Sequence, residues 1–443
     1  MPQHIVIIGN GIAGITCARN IRKQSDDDIT VISSETEHFY SRTALMYIFM
    51  GHMKYEHTKP YEDWFWEKNR IKLLKDHVTA IDTKHKKLSL QTGATINYDK
   101  LVIATGSVSN IPNYPGMKLK GVQSLYGIPD LELMNENSKG IKRAVIIGGG
   151  LIGIEMAEML LSKNIHITFL VRENLYWDNV LPKEEASLIS KHIREHHVDL
   201  RNATEVKEIK GDGNGKVSSV ITTKGEEISC EFAGVTVGVN PNISIVKNTA
   251  IETERGILVN EFFETNIPDV YAIGDCVQHR NPPAGRKTVE QVWYTGRIHG
   301  ETLAPTLCGK RTAYNPAPWF NSAKFFDIEY QTYGTINPQP QEHENSFYWE
   351  HENERICFRA VYNKHDETII GFNVLGMRLR HEVCDKWLQE KRKIDEVMTN
   401  LHQLNFDPEF FDKYEKEIIS LYNQQTGKNK NRKKKKMLSP FNW

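Results

Sequence analysis

Two glycine-rich turns set between apolar strands and helices, and a change of pattern near the C-terminus, place the sequence in the α/β class. The expected architecture is two doubly wound, Rossmann-like nucleotide-binding domains followed by a small α+β C-terminal domain. The first turn, Gly9-Asn10-Gly11-Ile12-Ala13-Gly14, follows the run His4-Ile5-Val6-Ile7-Ile8. The second, Gly148-Gly149-Gly150-Leu151-Ile152-Gly153, follows Arg143-Ala144-Val145-Ile146-Ile147. Each run reads as a buried parallel strand that delivers the chain into a helix. From Ala313 the sequence turns to alternating strands and turns, then to helical segments at Arg378–Lys393 and Pro408–Gln425.

Each glycine has a task. The first of each set permits a tight turn, the second lets backbone N–H groups approach a pyrophosphate, and the third lets helix and strand pack closely. The helix N-terminus then faces the anion. A small residue follows four positions on in both copies, Ala18 and Ala157. Two dinucleotides are therefore expected. In the first unit the helix runs to about Arg22 and a strand follows at Ile29-Thr30-Val31-Ile32, with Glu35 placed to accept hydrogen bonds from ribose hydroxyls. A strand-rich stretch, Ile71 to Leu90, leads to Leu101-Val102-Ile103-Ala104-Thr105-Gly106, a strand that stops in a small-residue turn. Ile111-Pro112-Asn113-Tyr114-Pro115-Gly116 reads as a linker. The second unit has its own second strand at Ile167–Val171 and returns through Gly234–Pro241. Val270-Tyr271-Ala272-Ile273-Gly274-Asp275 is another strand ending in glycine and a carboxylate, followed by a helix over Val289–Leu303. These readings divide the chain into 1–112 with 242–310, 113–241, 311–427, and a basic tail, 428–443.

Basic and acidic residues balance at 56 each, yet the tail holds seven Lys or Arg and no acid, so the body is net negative. The tail's Met437, Leu438, Phe441 and Trp443 beside its lysines suit weak docking to an anionic membrane; an acidic redox partner, nucleic acid or a solubilising disordered role suit it as well. Six cysteines lie scattered without a CxxC pair, which argues against a disulfide framework, zinc and iron–sulfur ligation. The first strand starts beside Met1 and no apolar run is long enough to span a bilayer, so the expected location is cytoplasmic, with peripheral contact at the inner membrane face as the alternative.

Four motifs in order give the chain a resemblance to the FAD-dependent pyridine nucleotide-disulfide oxidoreductase superfamily over about residues 1–310. They are the N-terminal GxGxxG, Ala104-Thr105-Gly106, the inner GxGxIGxE with Glu155, and Thr265-x4-Val270-Tyr271-Ala272-x-Gly274-Asp275. The resemblance implies that FAD binds the first and fourth segments and that an NAD(P) domain is inserted between them. It implies FAD contacts at Gly9, Gly11, Ala13, Gly14, Glu35, Arg42, Val78, Thr105, Gly106, Gly274, Asp275 and Glu290. It implies nucleotide contacts at Gly148, Gly150, Ile152, Gly153, Arg172 and Gly238, and catalytic positions at Glu155 and Gln291. Asp275 would bond the ribitol, and a helix N-terminus near Glu290 and Gln291 would stabilise negative charge on reduced flavin.

The chain departs from the disulfide reductases where they carry CxxxxC: here the stretch is Phe39-Tyr40-Ser41-Arg42-Thr43-Ala44-Leu45. Tyr40-Ser41-Arg42 is similar instead to the branch with rubredoxin and ferredoxin reductases, the flavin portion of nitrite reductase and apoptosis-inducing factor. That branch implies hydride transfer from NAD(P)H to flavin, then electrons passed straight to an external acceptor, with Arg42 at the FAD phosphates. Its third domain often carries Phe-Trp-Ser; Asn321 in Trp319-Phe320-Asn321-Ser322 stands where the Trp would fall. For the nucleotide, Val171-Arg172-Glu173 lacks an acid at Val171 and offers Arg172 to a 2′-phosphate, which tips the balance to NADPH against the opposing charge of Glu173.

Other features are read without a ligand. Glu155 also suits the first-turn dipole of its helix. His192 and His196 form an i, i+4 pair, but with no acid or cysteine to complete a set they and His197 read as a solvated face, and no metal is expected. Glu342-His343-Glu344-Asn345 and Glu350-His351-Glu352-Asn353 read as a polar hairpin, and Cys276 as packing. Trp64, Phe65 and Trp66 with Met46, Met50 and Met53 read as core, the alternative being an acceptor surface. Three functions remain open: a reductase of a small redox protein, a membrane-surface NAD(P)H:quinone reductase, and a nucleotide-controlled binding protein, with a homodimer as a candidate assembly.

Overall fold

Both apolar runs ahead of the glycine turns form the central strands of all-parallel, five-stranded sheets. In the computed structural model, which describes residues 2–407, 409–410 and 412–431, the first sheet has the order Val270–Ala272, Lys100–Ile103, His4–Ile8, Asp28–Ser33, Ile71–Lys75. The second has the order Val122–Gln123, Phe232–Val235, Arg143–Ile147, His166–Leu170, Asp199–Arg201. Strand order reverses beside each central strand, at the crevice where open α/β sheets take their ligands. The near-continuous Val and Ile of these strands follow from burial on both faces.

The helices after the turns run Ile12–Arg22 and Leu151–Leu161. Helix Ile12–Arg22 packs along Trp293–Leu307, and glycine makes that approach possible. A Cβ on Gly300 would stand 2.5 Å from Ala13 O and 2.8 Å from Cys17 N, both backbone atoms. Gly300→Ala is therefore expected to cost about 1–3 kcal/mol by forcing the helices apart, read as a lower urea midpoint at unchanged m-value.

The C-terminal region is α+β, as expected. An antiparallel sheet in the order Phe320–Phe325, Ile328–Gly334, Ile369–Leu375, Cys357–Asn363, Glu344–Glu350 packs against helices His381–Gln389, Ile394–Thr399 and Glu415–Thr426. Its core includes Phe358, Phe372, Trp387 and Tyr422.

The chain divides into two compact units, Met1–Arg172 with His197–Pro316, and Glu173–His196 with Ala317–Trp443. Segment 173–196, which sequence reading assigns to the nucleotide domain, groups with the C-terminal one. A buried ion pair is among the contacts that tie it there, with Tyr176 and Trp177 packing edge-on against Phe325. Arg359 donates from Nε to Glu185 Oε1 at 2.6 Å and from Nη2 to Glu185 Oε2 at 2.8 Å and Glu184 Oε2 at 2.7 Å, with Glu185 wholly inaccessible to solvent.

Other boundaries also differ from expectation. The return strand Gly234–Pro241 is broken: Phe232–Val235 stays in the second sheet, Gly238 turns with φ +94°, and Val239–Pro241 pairs antiparallel with Ser107–Ser109. Arg378–Lys393 is interrupted at Lys391, whose φ is +49°. The second acidic repeat does form a hairpin turn, between Glu344–Glu350 and Cys357–Asn363, while the first leads into that hairpin. Met46 and Trp66 are buried and Phe65 stacks on Tyr61, so the aromatic cluster is core except for Trp64, which is 58% exposed. Of the basic tail, Lys428 bonds Glu367 and Asp395 and Lys430 pairs with Asp395; positions 432–443 lie outside the described residues. Among the described residues no helix is long and apolar enough to cross a membrane.

Candidate active site

The two glycine turns are geometric copies. Gly9 has φ +115°, and a Cβ there would fall 2.1 Å from Ala104 O; Gly148 has φ +109°, and a Cβ would fall 2.6 Å from Thr236 O. A Cβ on Gly14 would meet Gly9 O at 2.1 Å and one on Gly153 would meet Gly148 O at 2.5 Å. Only glycine fits these four positions. The middle glycines are different. Gly11 has nothing within 4 Å of its Cβ direction, and Gly150 has only Thr236 O at 3.8 Å. The helices capped by Gly11 and Gly150 thus begin with room beside the backbone, which fits the pyrophosphates of two dinucleotides.

The first and fourth motifs meet. Gly274, with φ +77°, lies so close to Ala13 that a Cβ would come within 2.9 Å of the Ala13 methyl. The Gly274 N–H donates to His299 Nδ1 at 3.1 Å, which holds the turn presenting Asp275. Burial keeps the His299 imidazole well below its ordinary pKa, hence neutral. Cys276 is packing, its thiol pushed up to about 11 by burial.

From Asp275 a line of polar contacts runs across the site. Ser107 Oγ lies 3.1 Å from Asp275 Oδ2 and accepts from Gln291 Nε2 at 2.7 Å. The Ser107 N–H donates to the Tyr126 hydroxyl at 2.9 Å, and Arg42 Nη1 donates to Tyr126 O at 2.7 Å. Arg42 Nη2 pairs with Glu35 Oε2 at 2.6 Å, and Glu35 also accepts from the Tyr40 hydroxyl and, at 2.9 Å, from the Ile128 N–H. Burial alone would raise the Glu35 carboxyl, but Arg42, Tyr40 and Ile128 outweigh it and hold the group below its ordinary pKa. Burial also pushes the Asp275 carboxyl up to about 6, a rise that Ser107 opposes.

Not every expected placement is met. The helix expected from Val289 begins at Trp293, so Glu290 and Gln291 lie in the segment before it. The Glu290 carboxylate is sealed against Arg286, with Nε to Oε1 at 2.7 Å and Nη2 to Oε2 at 2.6 Å. Glu155 is the fifth residue of helix Leu151–Leu161, so first-turn dipole complementarity is not its role. Burial, with the charge of Glu158 adding, pushes its carboxyl up to about 7. Val78 is buried at the start of a strand and belongs to the core. The Thr105 hydroxyl donates to Asn242 O at 2.7 Å, and Gly106 has φ +68°. Ile152 is half-buried beside the second turn and Arg172 is exposed just past His166–Leu170. Sequence reasoning missed Ser107, Tyr126 and His299. Only Ser107 had a signal, its adjacency to the Ala104-Thr105-Gly106 turn.

One reading is corrected outright. The pair His192 and His196 is completed by an acid after all, Asp327, which a hairpin of the C-terminal sheet brings within 2.6 Å of His192 Nε2.

The pyridine nucleotide-disulphide oxidoreductase family model matches residues 3–297. The nitrite reductase [NAD(P)H] of Bacillus subtilis is 28% identical over 76% of this chain, and the chain spans 41% of that relative's length. The NADH-rubredoxin oxidoreductase of Clostridium acetobutylicum is 27% identical over 90% of this chain and 99% of its own. The solved structure of an NAD-dependent persulfide reductase from A. fulgidus, at 24% identity, superposes with a TM-score of 0.84 over 96% of this chain and 84% of that one, a likeness of fold.

Proposed function

The chain belongs to the pyridine nucleotide-disulphide oxidoreductase family, and from that premise we propose that it is an FAD-dependent NAD(P)H oxidoreductase that serves a small redox protein directly. The observation that carries this reading is the segment Phe39–Leu45. Where disulfide-using members keep two cysteines, it presents Tyr40 and Arg42, both tied to Glu35. All six cysteines are free and five are buried, which supports a route without a thiol relay. The name of the Clostridium relative supports rubredoxin or a similar carrier as acceptor.

When bound, FAD would supply the acceptance of a hydride and the release of its electrons singly or as a pair. The residues of this chain do the positioning. Gly9, Gly11 and Gly14 open the backbone to one pyrophosphate and Gly148, Gly150 and Gly153 to the other. Asp275 and Gln291, linked through Ser107, hold the ribitol and the pyrimidine side. Arg42 would take the FAD phosphates and Glu155 would serve the nicotinamide. Arg172 takes the 2′-phosphate of NADPH.

Anaerobic stopped-flow bleaching of the flavin with NADPH and NADH in parallel tests this reading. NADPH is expected to bleach faster, and Arg172→Ala to weaken NADPH by about tenfold, the value of one charge-assisted bond, with NADH unchanged. Equal rates with both nucleotides would remove the NADPH assignment. Bleaching by neither would move the reading to a nucleotide-controlled binding protein.

A further inference from the structure

We propose that His192, His196 and Asp327 form a binding site for a divalent first-row transition metal ion, with Zn²⁺ as its probe. The three ligand atoms are contributed by two elements of the same compact unit. His192 lies in the last turn of helix Lys183–Glu195 and His196 is its C-cap residue, and Asp327 lies in the two-residue turn between Phe320–Phe325 and Ile328–Gly334.

The spacing suits a metal better than it suits hydrogen bonding. His192 Nε2 and His196 Nε2 are 3.2 Å apart, and each faces Asp327 Oδ1, at 2.6 and 3.2 Å. If both nitrogens carry protons to Oδ1, two N–H groups crowd each other; if one does not, its lone pair faces the carboxylate. No tautomer satisfies all three contacts. A cation at the centre satisfies them together. With bonds of about 2.0–2.2 Å to nitrogen and oxygen, tetrahedral ligands stand roughly 3.2–3.6 Å apart, so two of the three spacings already fit and the His192–Asp327 contact would lengthen.

The surroundings orient these groups. The His196 ring stacks on Phe326 at 4.3 Å and 10°, and Phe326 adopts φ +54° in the turn that presents Asp327. Glu195 Oε2 stands 3.9 Å from His192 Nδ1, beyond hydrogen-bond distance, and accepts from Arg355 Nε at 2.9 Å. His192 is 5% exposed, while His196 and Asp327 reach solvent, the side from which an ion would enter. Two imidazoles and one carboxylate leave one tetrahedral position for water, and this nitrogen-rich set prefers zinc-class ions to calcium or magnesium. Among the described residues no other group of three or more such side chains converges in this way.

The test uses the FAD-loaded, full-length protein, dialysed against chelator and then titrated with ZnCl2, with zinc measured by mass spectrometry after gel filtration and the unfolding temperature recorded in parallel. The wild type and a His197→Ala control are expected to retain one zinc per chain and to unfold at higher temperature with zinc. Asp327→Ala and His196→Ala, both at accessible positions, are expected to lose at least about tenfold in affinity and the thermal shift. Equal zinc retention by wild type and Asp327→Ala, or none by wild type, overturns the assignment. Flavin reduction by NAD(P)H is independent of this outcome.

Discussion

Arg359→Ala is expected to destabilise the unit formed by 173–196 and 317–443 by about 3–5 kcal/mol, the usual result of stranding one partner of a buried ion pair. Arg359 is 5% exposed, bonds both Glu185 oxygens, and reaches Glu184 and Ser346 as well. Without it, Glu185 must either remain charged in the core or take up a proton. The sign of the pH dependence follows. Burial already raises the Glu185 carboxyl despite Arg359, and the substitution raises it further. A carboxyl raised in the folded state favours folding below its unfolded pKa, about 4.3, and loses that contribution as pH climbs through the folded value. The deficit of the variant should therefore be greatest near neutral pH and shrink on acidification. Urea denaturation at several pH values reads it, and the double variant Glu185→Leu/Arg359→Met should recover most of the loss, because an apolar pair of similar bulk replaces the ions. A constant deficit across pH would show that lost packing, not stranded charge, is responsible.

Asp275→Ala is expected to yield folded protein with little flavin. Losing a charge-assisted bond costs about 1.5–3 kcal/mol, roughly 10–150-fold in FAD affinity. The apoprotein should not suffer, because burial penalises the Asp275 carboxylate, pushing its pKa up to about 6, so this group, though mostly ionised at neutral pH, does not stabilise the empty fold. Asp275→Asn, which keeps the shape and a hydrogen-bonding oxygen for the ribitol, should retain more flavin than the alanine variant. Flavin absorbance per chain after gel filtration, beside the apoprotein's urea midpoint, separates loss of the site from loss of the fold. Full flavin content in Asp275→Ala would remove Asp275 from the cofactor site.

Local chemistry by itself determines much of this protein. The two glycine turns, their flanking strands and helix starts, and the small-residue end of Lys100–Ile103 were legible because each rests on a property of the residue itself: absence of a Cβ, β-branching, or an unbroken apolar run. The α+β character of the C-terminal region was legible from its alternation. What tertiary structure alone decided are pairings across long stretches of chain. The closure of Arg42 on Glu35 and Tyr126, the seat of Gly274 on Ala13 and His299, and the pairing of Glu185 with Arg359 have no local pattern. Asp327 is the plainest case. The helix period puts His192 and His196 on one face, but the acid that joins them is 131 residues beyond His196, in a turn whose position depends on how a whole sheet packs. Spacing along the chain encodes only what one helix or strand can bring together; a site assembled from two elements is set by the packing of the cores that carry them.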